Sequence, residues 1–231
     1  YLTQEDVRQL RFRFHEGDPM SYNEDFYRIS DNTDISGFFQ SIHYFKHHQE
    51  QRKREVTPKP HHLLKAHKEI GALKQRYAAH EIVSLHIRRG DNVDYTDPSQ
   101  VELREFFNEG GSFDHYVSGA LDIFKDKKVK FLVFSGGQRG TNDNAKDIAW
   151  CKQRLAGDEF IFSENHSVLE DFSLIMCCDH NILSHVSSFG WWAAYLNSNK
   201  EKIVVAPRNY HPDLPNLDFR AAFYPPEWRL I

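Results

Sequence analysis

Between residues 81 and 206 short β-rich runs alternate with helical segments, and this constrains the chain more than any other feature. The runs are Glu81 to Ile87, Val129 to Phe134, Phe160 to Phe162, Asn181 to Leu183 and Ile203 to Ala206. Helices are expected between them over about 113–126, 143–155, 167–178 and 188–198. In the first of these, Tyr116, Ala120 and Phe124 share one face. Each helix returns the chain to the same end of the sheet, so the strands must run parallel and the class is α/β. Ligands of such sheets bind outside the carboxyl ends of the strands. Chemistry is therefore expected just after residues 87, 134, 162, 183 and 206.

The first 80 residues read differently. Residues 1 to about 36 mix polar and aromatic residues without a helical period, which suggests strands and loops. From Gly37 to about Glu55, Phe38, Ile42 and Phe45 fall at helical spacing, so one amphipathic helix is expected. Pro58 and Pro60 end it, and a second helix is expected over about 60–78. The expected division is an N-terminal domain over 1–80 and a larger one over 81–231.

With 231 residues the chain can bury a core without disulfides. Its three cysteines, Cys151, Cys177 and Cys178, form no disulfide framework and are expected to be reduced thiols. No Cys or His pair has zinc-ligand spacing beside a second pair, so no metal site is expected. The formal net charge of −4 argues against a nucleic-acid partner. No stretch approaches the ~18 consecutive apolar residues of a membrane span.

The first parallel strand runs into His86-Ile87-Arg88-Arg89-Gly90-Asp91. Two arginines at a strand's carboxyl end are costly to bury without an anionic partner. Arginine's planar fork suits phosphate. Neighbours along a strand point to opposite faces, so one arginine is expected to face the ligand and the other to brace the loop or pair with a carboxylate. A purely structural ion pair with Asp91 is the competing account. Ser187-Ser188 precede an apolar helix, and a serine-capped helix start offers free N–H groups to a diphosphate. Glu170 and Asp171 open another helix, where the dipole favours acidic residues.

These residues resemble the alpha-1,2-fucosyltransferases of glycosyltransferase family 11. His86 to Asp91 matches their His-x-Arg-Arg-x-Asp signature. Gly37-Phe38-Phe39-Gln40-Ser41 is similar to their Gly-Tyr-Phe-Gln-Ser segment, and Ser187-Ser188-Phe189-Gly190-Trp191-Trp192-Ala193-Ala194 to their Ser-Thr-Phe-Ser-Trp-Trp-Ala-Ala block. The likeness covers roughly residues 36–210. Two features depart from it. The Gly-Gly-Leu-Gly-Asn segment that opens the family's N-terminal domain is absent. The Ser-Asp-Asp after the second strand is replaced by a longer loop from Ser135 to Asn144, with Asp143 or Asp147 as possible substitutes.

The resemblance implies a GT-B-like fold, two Rossmann-like halves facing a cleft, with the N-terminal half incomplete. It implies inverting transfer of fucose from GDP-fucose to a hydroxyl, galactose O2, of a glycan acceptor, without a metal or other cofactor. Arg88 and Asp91 become the catalytic candidates; the base is Asp91, a group in the missing N-terminal part, or the leaving phosphate itself. His86, Arg88, Arg89, Ser135, Glu170, Asp171, Ser187, Ser188 and Phe189 become the donor-binding candidates. A transferase of another GDP-sugar and a non-catalytic binding homologue are the rival readings. Bacterial and viral relatives act in the cytosol and animal ones in the Golgi lumen, which leaves the compartment open.

Overall fold

A computed structural model describes residues 3–17, 22–94, 101–109, 111–136, 144–209 and 223–231. The chain divides into two compact units, Tyr1–Glu55 with Leu217–Glu227, and Val56–Asn216 with Trp228–Ile231.

The larger unit is built on a six-stranded sheet of β3 (Glu81–Arg88), β4 (Val129–Gly136), β5 (Phe160–Phe162), β6 (His180–Ile182), β7 (Val204–Ala206) and β8 (Arg229–Leu230). The strand order is β5-β4-β3-β6-β7-β8, and every pairing is parallel. From β3 the chain steps outward through β4 and β5, then crosses back to lay β6 on β3's other edge. That reversal opens a crevice beyond the carboxyl ends of β3 and β6, where doubly wound sheets take their ligands.

Helices cover both faces, so the central strands are apolar on both sides. Val83, Leu85 and Ile87 of β3 face one layer, packed on Tyr116 and Ala120 of α5 (Gly111–Asp122) and on Phe124 in the turn after it. Ile82 faces the other, with Leu174 and Ile175 of α7 (Val168–Cys177) and Ala193 of α8 (Ser188–Leu196). The same alternation assigns a face to each residue that leaves β3.

The expected helix over 60–78 is α3 (Pro60–Arg76), with Pro60 at its first turn, where a missing N–H is harmless. It packs along α7 and against β3, so the compact boundary falls after Glu55, ahead of the expected one at residue 80. Among the elements not foreseen are α4 (Val101–Glu109), the two-residue strand β8, and a short helix at Gln4–Arg8 in the stretch expected to hold only strands and loops. Strand β8 is too short to carry a period. α6 (Ala145–Arg154) lies within its expected range.

The smaller unit pairs β1 (Phe12–His15) in parallel with β2 (Thr33–Ser36) and opens with α1 (Gln4–Arg8). The single helix expected over Gly37 to Glu55 is not formed. In its place come an irregular turn, a 3₁₀ turn at Ile42–Phe45 and α2 (Gln49–Val56). Glu16, buried at 3% exposure, explains the break. Its Oε2 accepts the N–H groups of Phe38 at 2.6 Å and Phe39 at 2.9 Å, and Phe39 sits at φ 49°. These bonds hold Phe38 and Phe39 in a turn, and the left-handed Phe39 stops helix propagation there. Phe38 ends 73% exposed, off the apolar stripe assumed for it.

Candidate active site

Three of the expected residues meet at the β3–β6 crevice. The Arg88 N–H donates to Ser184 Oγ at 2.8 Å, which ties the end of β3 to the loop after β6. That loop leads through Val186 to Ser187, whose hydroxyl caps α8 by accepting from the Gly190 N–H. Val186 has φ 48°, a left-handed conformation that a β-branched residue adopts only under strain. Such strain persists where surrounding structure imposes it, and it collects at binding sites. Here it turns the chain so that Ser188, exposed at the first turn of α8, stands at the crevice with the helix's free N–H groups.

His86 joins the two walls. It is 6% exposed and rests on the first turn of α8, its ring centroid 5.6 Å from that of Phe189. A Cβ added at Gly190 would come within 2.6 Å of His86 Nδ1. Burial first, and the Arg88 charge second, push the imidazole down to about 3, so it is neutral at physiological pH. Nδ1 has no hydrogen-bond partner among the described residues. Gly190→Ala is therefore expected to destabilise the protein by about 1–3 kcal/mol, because the enclosed ring cannot retreat. Thermal denaturation measures this, and an unchanged melting temperature would show that α8 and β3 are not in this contact.

The two arginines part company. Arg88 shares the α7/α8 face with His86. Its Nη1 donates to the Gly136 carbonyl at 3.1 Å, and Nη2 forms an ion pair with Asp91 that lacks good hydrogen-bond alignment. Its side chain is 18% exposed and Asp91's is 36%, so the pair opens to solvent. Gly90, at φ 51°, makes the tight turn that folds Asp91 back on Arg88. Arg89 turns to the other face and is 5% exposed. Its Nε lies 3.3 Å from Asp147 Oδ1, its Nη1 donates to the Phe107 carbonyl, and its Cζ stands 3.8 Å above the Trp150 ring. The sequence left open which arginine would brace the loop; its contacts with Asp147, Phe107 and Trp150 make it Arg89. Asp147, one of two acidic substitutes considered for the altered loop, is its partner, while Asp143 lies outside the described residues.

Ser135 is buried, and its hydroxyl donates to the Ile87 carbonyl at 2.9 Å, locking β4 to β3. At α7 the acidic pair also divides. Glu170 forms a capping box with Ser167 and an ion pair with Lys65, so both its oxygens are committed. The Lys65 hydrogen bond, then those of Ser167, bring its carboxyl down to about 2. Asp171 is pushed up to about 6, chiefly by burial. Its Oδ1 accepts from Ser163 Oγ at 2.6 Å.

The pattern of Glycosyl transferase family 11 matches residues 3–231. This chain belongs to that family. Among curated relatives it is 29% identical to human galactoside alpha-(1,2)-fucosyltransferase 1 over 209 residues, covering 84% of this chain and 51% of the relative. It is 27% identical to an Escherichia coli alpha-1,2-colitosyltransferase over 183 residues, covering 76% of this chain and 55% of that one. The chain thus spans about half the length of the curated relatives it matches. Crystals of the alpha-1,6-fucosyltransferase NodZ soaked with GDP-fucose align with 75% of this chain and 55% of theirs, at 16% identity and a TM-score of 0.43.

For this family 11 chain, sequence reasoning missed Ser184 and the tie it makes between β3 and β6. It also missed Gly190, which admits His86, and Ser163 with His166 beside Asp171. A glycine in a helix's first turn, two residues after a serine pair, was the available signal for close approach. Ser184 carried none.

Proposed function

We propose that this chain carries the GDP-fucose site of an inverting α-1,2-fucosyltransferase, which moves fucose to galactose O2 of a glycan acceptor. One observation carries the reading. Arg88, with guanidinium donors to spare, and the serine-capped start of α8 stand at the same reversal of the sheet, joined by His86 and Ser184. Cationic forks and helix-start N–H groups are the two protein devices best suited to a diphosphate.

In the proposed reaction the acceptor hydroxyl attacks the anomeric carbon from the face opposite GDP. The carbon–phosphate oxygen bond breaks and the configuration inverts. Negative charge builds on the departing diphosphate, so donors already aimed at it lower the barrier. Arg88 and the N–H groups at Ser188 and Phe189 supply these, and arginine neutralises the leaving group without a metal. Asp91 orients the Arg88 fork and is the candidate base for the hydroxyl proton. His86, neutral, packs the two walls together and adds no charge. Asp171 is the candidate acceptor for the base or ribose of the nucleotide. Arg89, Ser135 and Glu170 support the site from behind.

A second donor sugar has one specific point in its favour: a relative bears the name of a colitosyltransferase. Calorimetry with GDP, GDP-fucose and other GDP- and UDP-sugars tests the nucleotide, and the anomeric configuration of the product tests inversion. GDP and GDP-fucose are expected to bind and UDP-sugars to bind far more weakly. A protein indifferent to GDP rules the proposal out. GDP binding with no turnover across an acceptor panel favours a non-catalytic homologue.

A further inference from the structure

An arginine side chain has many rotamers, so its aim depends on what holds its two ends. At Arg88 the backbone end is held by a pair of side chains. The peptide unit joining Ile87 to Arg88 has one carbonyl and one N–H, and each meets a serine hydroxyl. Ser135 Oγ on β4 donates to the Ile87 carbonyl at 2.9 Å. The Arg88 N–H donates at 2.8 Å to Ser184 Oγ, in the loop after β6. The two serines are 5% and 2% exposed. A single peptide plane is thus gripped from both sides of β3.

Sheet pairing alone does not reach this far on the β6 side. There β3 pairs only over Val83 to Leu85, against His180 to Ile182. The Arg88 N–H lies past that ladder and still needs a partner. The Ser184 hydroxyl supplies the acceptor that a longer β6 would have given. On the β4 side the pairing continues to Arg88 and Gly136. There the dipeptide Ser135-Gly136 holds Arg88 twice. Ser135 fixes the carbonyl before it, and the Gly136 carbonyl accepts from Nη1 at 3.1 Å. The remaining prong, Nη2, pairs with Asp91, whose carboxylate is the most exposed member of the group. The near end of Arg88 is therefore clamped, while one prong of the far end stands at the solvent edge.

We propose that Ser135 and Ser184 are positioning residues for Arg88: together they fix the peptide plane from which its side chain leaves, and so set where the guanidinium points. This rests on the donor reading above. Leverage makes the effect large. A guanidinium carbon stands about 6 Å from its Cα, so a tilt of about 10° moves it by about 1 Å, and a misplacement of that size can cost on the order of a hundredfold in rate. Neither serine touches the nucleotide in this arrangement. Each acts through Arg88, so the effect of either one must disappear when the Arg88 side chain is gone.

A double-mutant cycle reads this directly. GDP affinity is measured by calorimetry on Ser135→Ala and Ser184→Ala, each in the wild-type chain and in Arg88→Ala. With Arg88 present, each serine variant is expected to bind GDP roughly 3- to 30-fold more weakly, the coupling range of residues in contact. In Arg88→Ala the same changes should alter affinity by less than about twofold. Ser135→Thr keeps the hydroxyl and is expected to recover most of the loss seen in Ser135→Ala. Ser135→Ala leaves no N–H without a partner, which keeps the test open should Ser184→Ala fold poorly.

Serine variants that bind GDP like wild type overturn the positioning role, and so do variants that weaken binding equally with and without Arg88. Either result leaves the donor reading standing. A wild type that binds no GDP removes the donor reading, and the positioning role falls with it.

Discussion

Replacing Arg88 with alanine is expected to weaken GDP binding by about 2–5 kcal/mol, the loss typical of truncating one partner of a buried, hydrogen-bonded charge pair. That corresponds to roughly 30-fold to several-thousand-fold in Kd. The melting temperature should barely move. In the free protein Arg88 is 18% exposed, its carboxylate partner is more exposed still, and solvent can replace both contacts. Arg88→Lys keeps the charge and loses the two-pronged geometry, so it should fall between alanine and wild type. Calorimetry with GDP reads each variant. Wild-type affinity in Arg88→Ala would remove the guanidinium from the diphosphate site and, with it, the main support for donor binding here.

Asp147→Ala is expected to act on stability instead. Asp147 is 1% exposed and faces a guanidinium that burial already disfavours as a cation. Removing the carboxylate strands that charge inside the protein, at about 3–5 kcal/mol. For a chain of this size the melting temperature should drop by roughly 6–20 °C. The pair differs from Arg88–Asp91 in its surroundings: Trp150 covers the Arg89 guanidinium, and Arg154 stacks on the same ring with its Cζ 3.9 Å away. Replacing both partners, as Arg89→Met with Asp147→Leu, should recover most of the loss, since no buried charge remains. A thermal scan decides. If Asp147→Ala melts like wild type, Arg89 is not held as described, and the rigidity ascribed to the loop after β3 has another source.

The contrast between these variants bears on how such a chain can be read. That an arginine at the end of β3 would meet an anion, and another would brace, was legible from strand alternation. Which was which depended on where β3 ends and which helix layer lies over each face. The acidic pair at α7 was likewise visible. Its division into a cap paired with Lys65, Glu170, and a buried carboxylate bonded by Ser163, Asp171, required residues from α3 and from the loop after β5. The failed helix over Gly37 to Glu55 teaches the same lesson. Apolar spacing favoured it locally, but Glu16, more than twenty residues earlier, holds Phe38 and Phe39 in a turn whose left-handed Phe39 breaks the helical path.

Local chemistry in the chain was sufficient for the α/β class, the run of parallel strands, the arginine-bearing strand end and the serine that starts α8. Each depends on periodicity or capping within a few residues. The order of strands around β3 came from folding, as did the meeting of Ser184, His86 and Gly190 in one crevice and the assignment of each charged residue to ligand edge or interior. Those outcomes depend on contacts between residues about a hundred positions apart, and no spacing along a single chain encodes which distant partner will fill a given face.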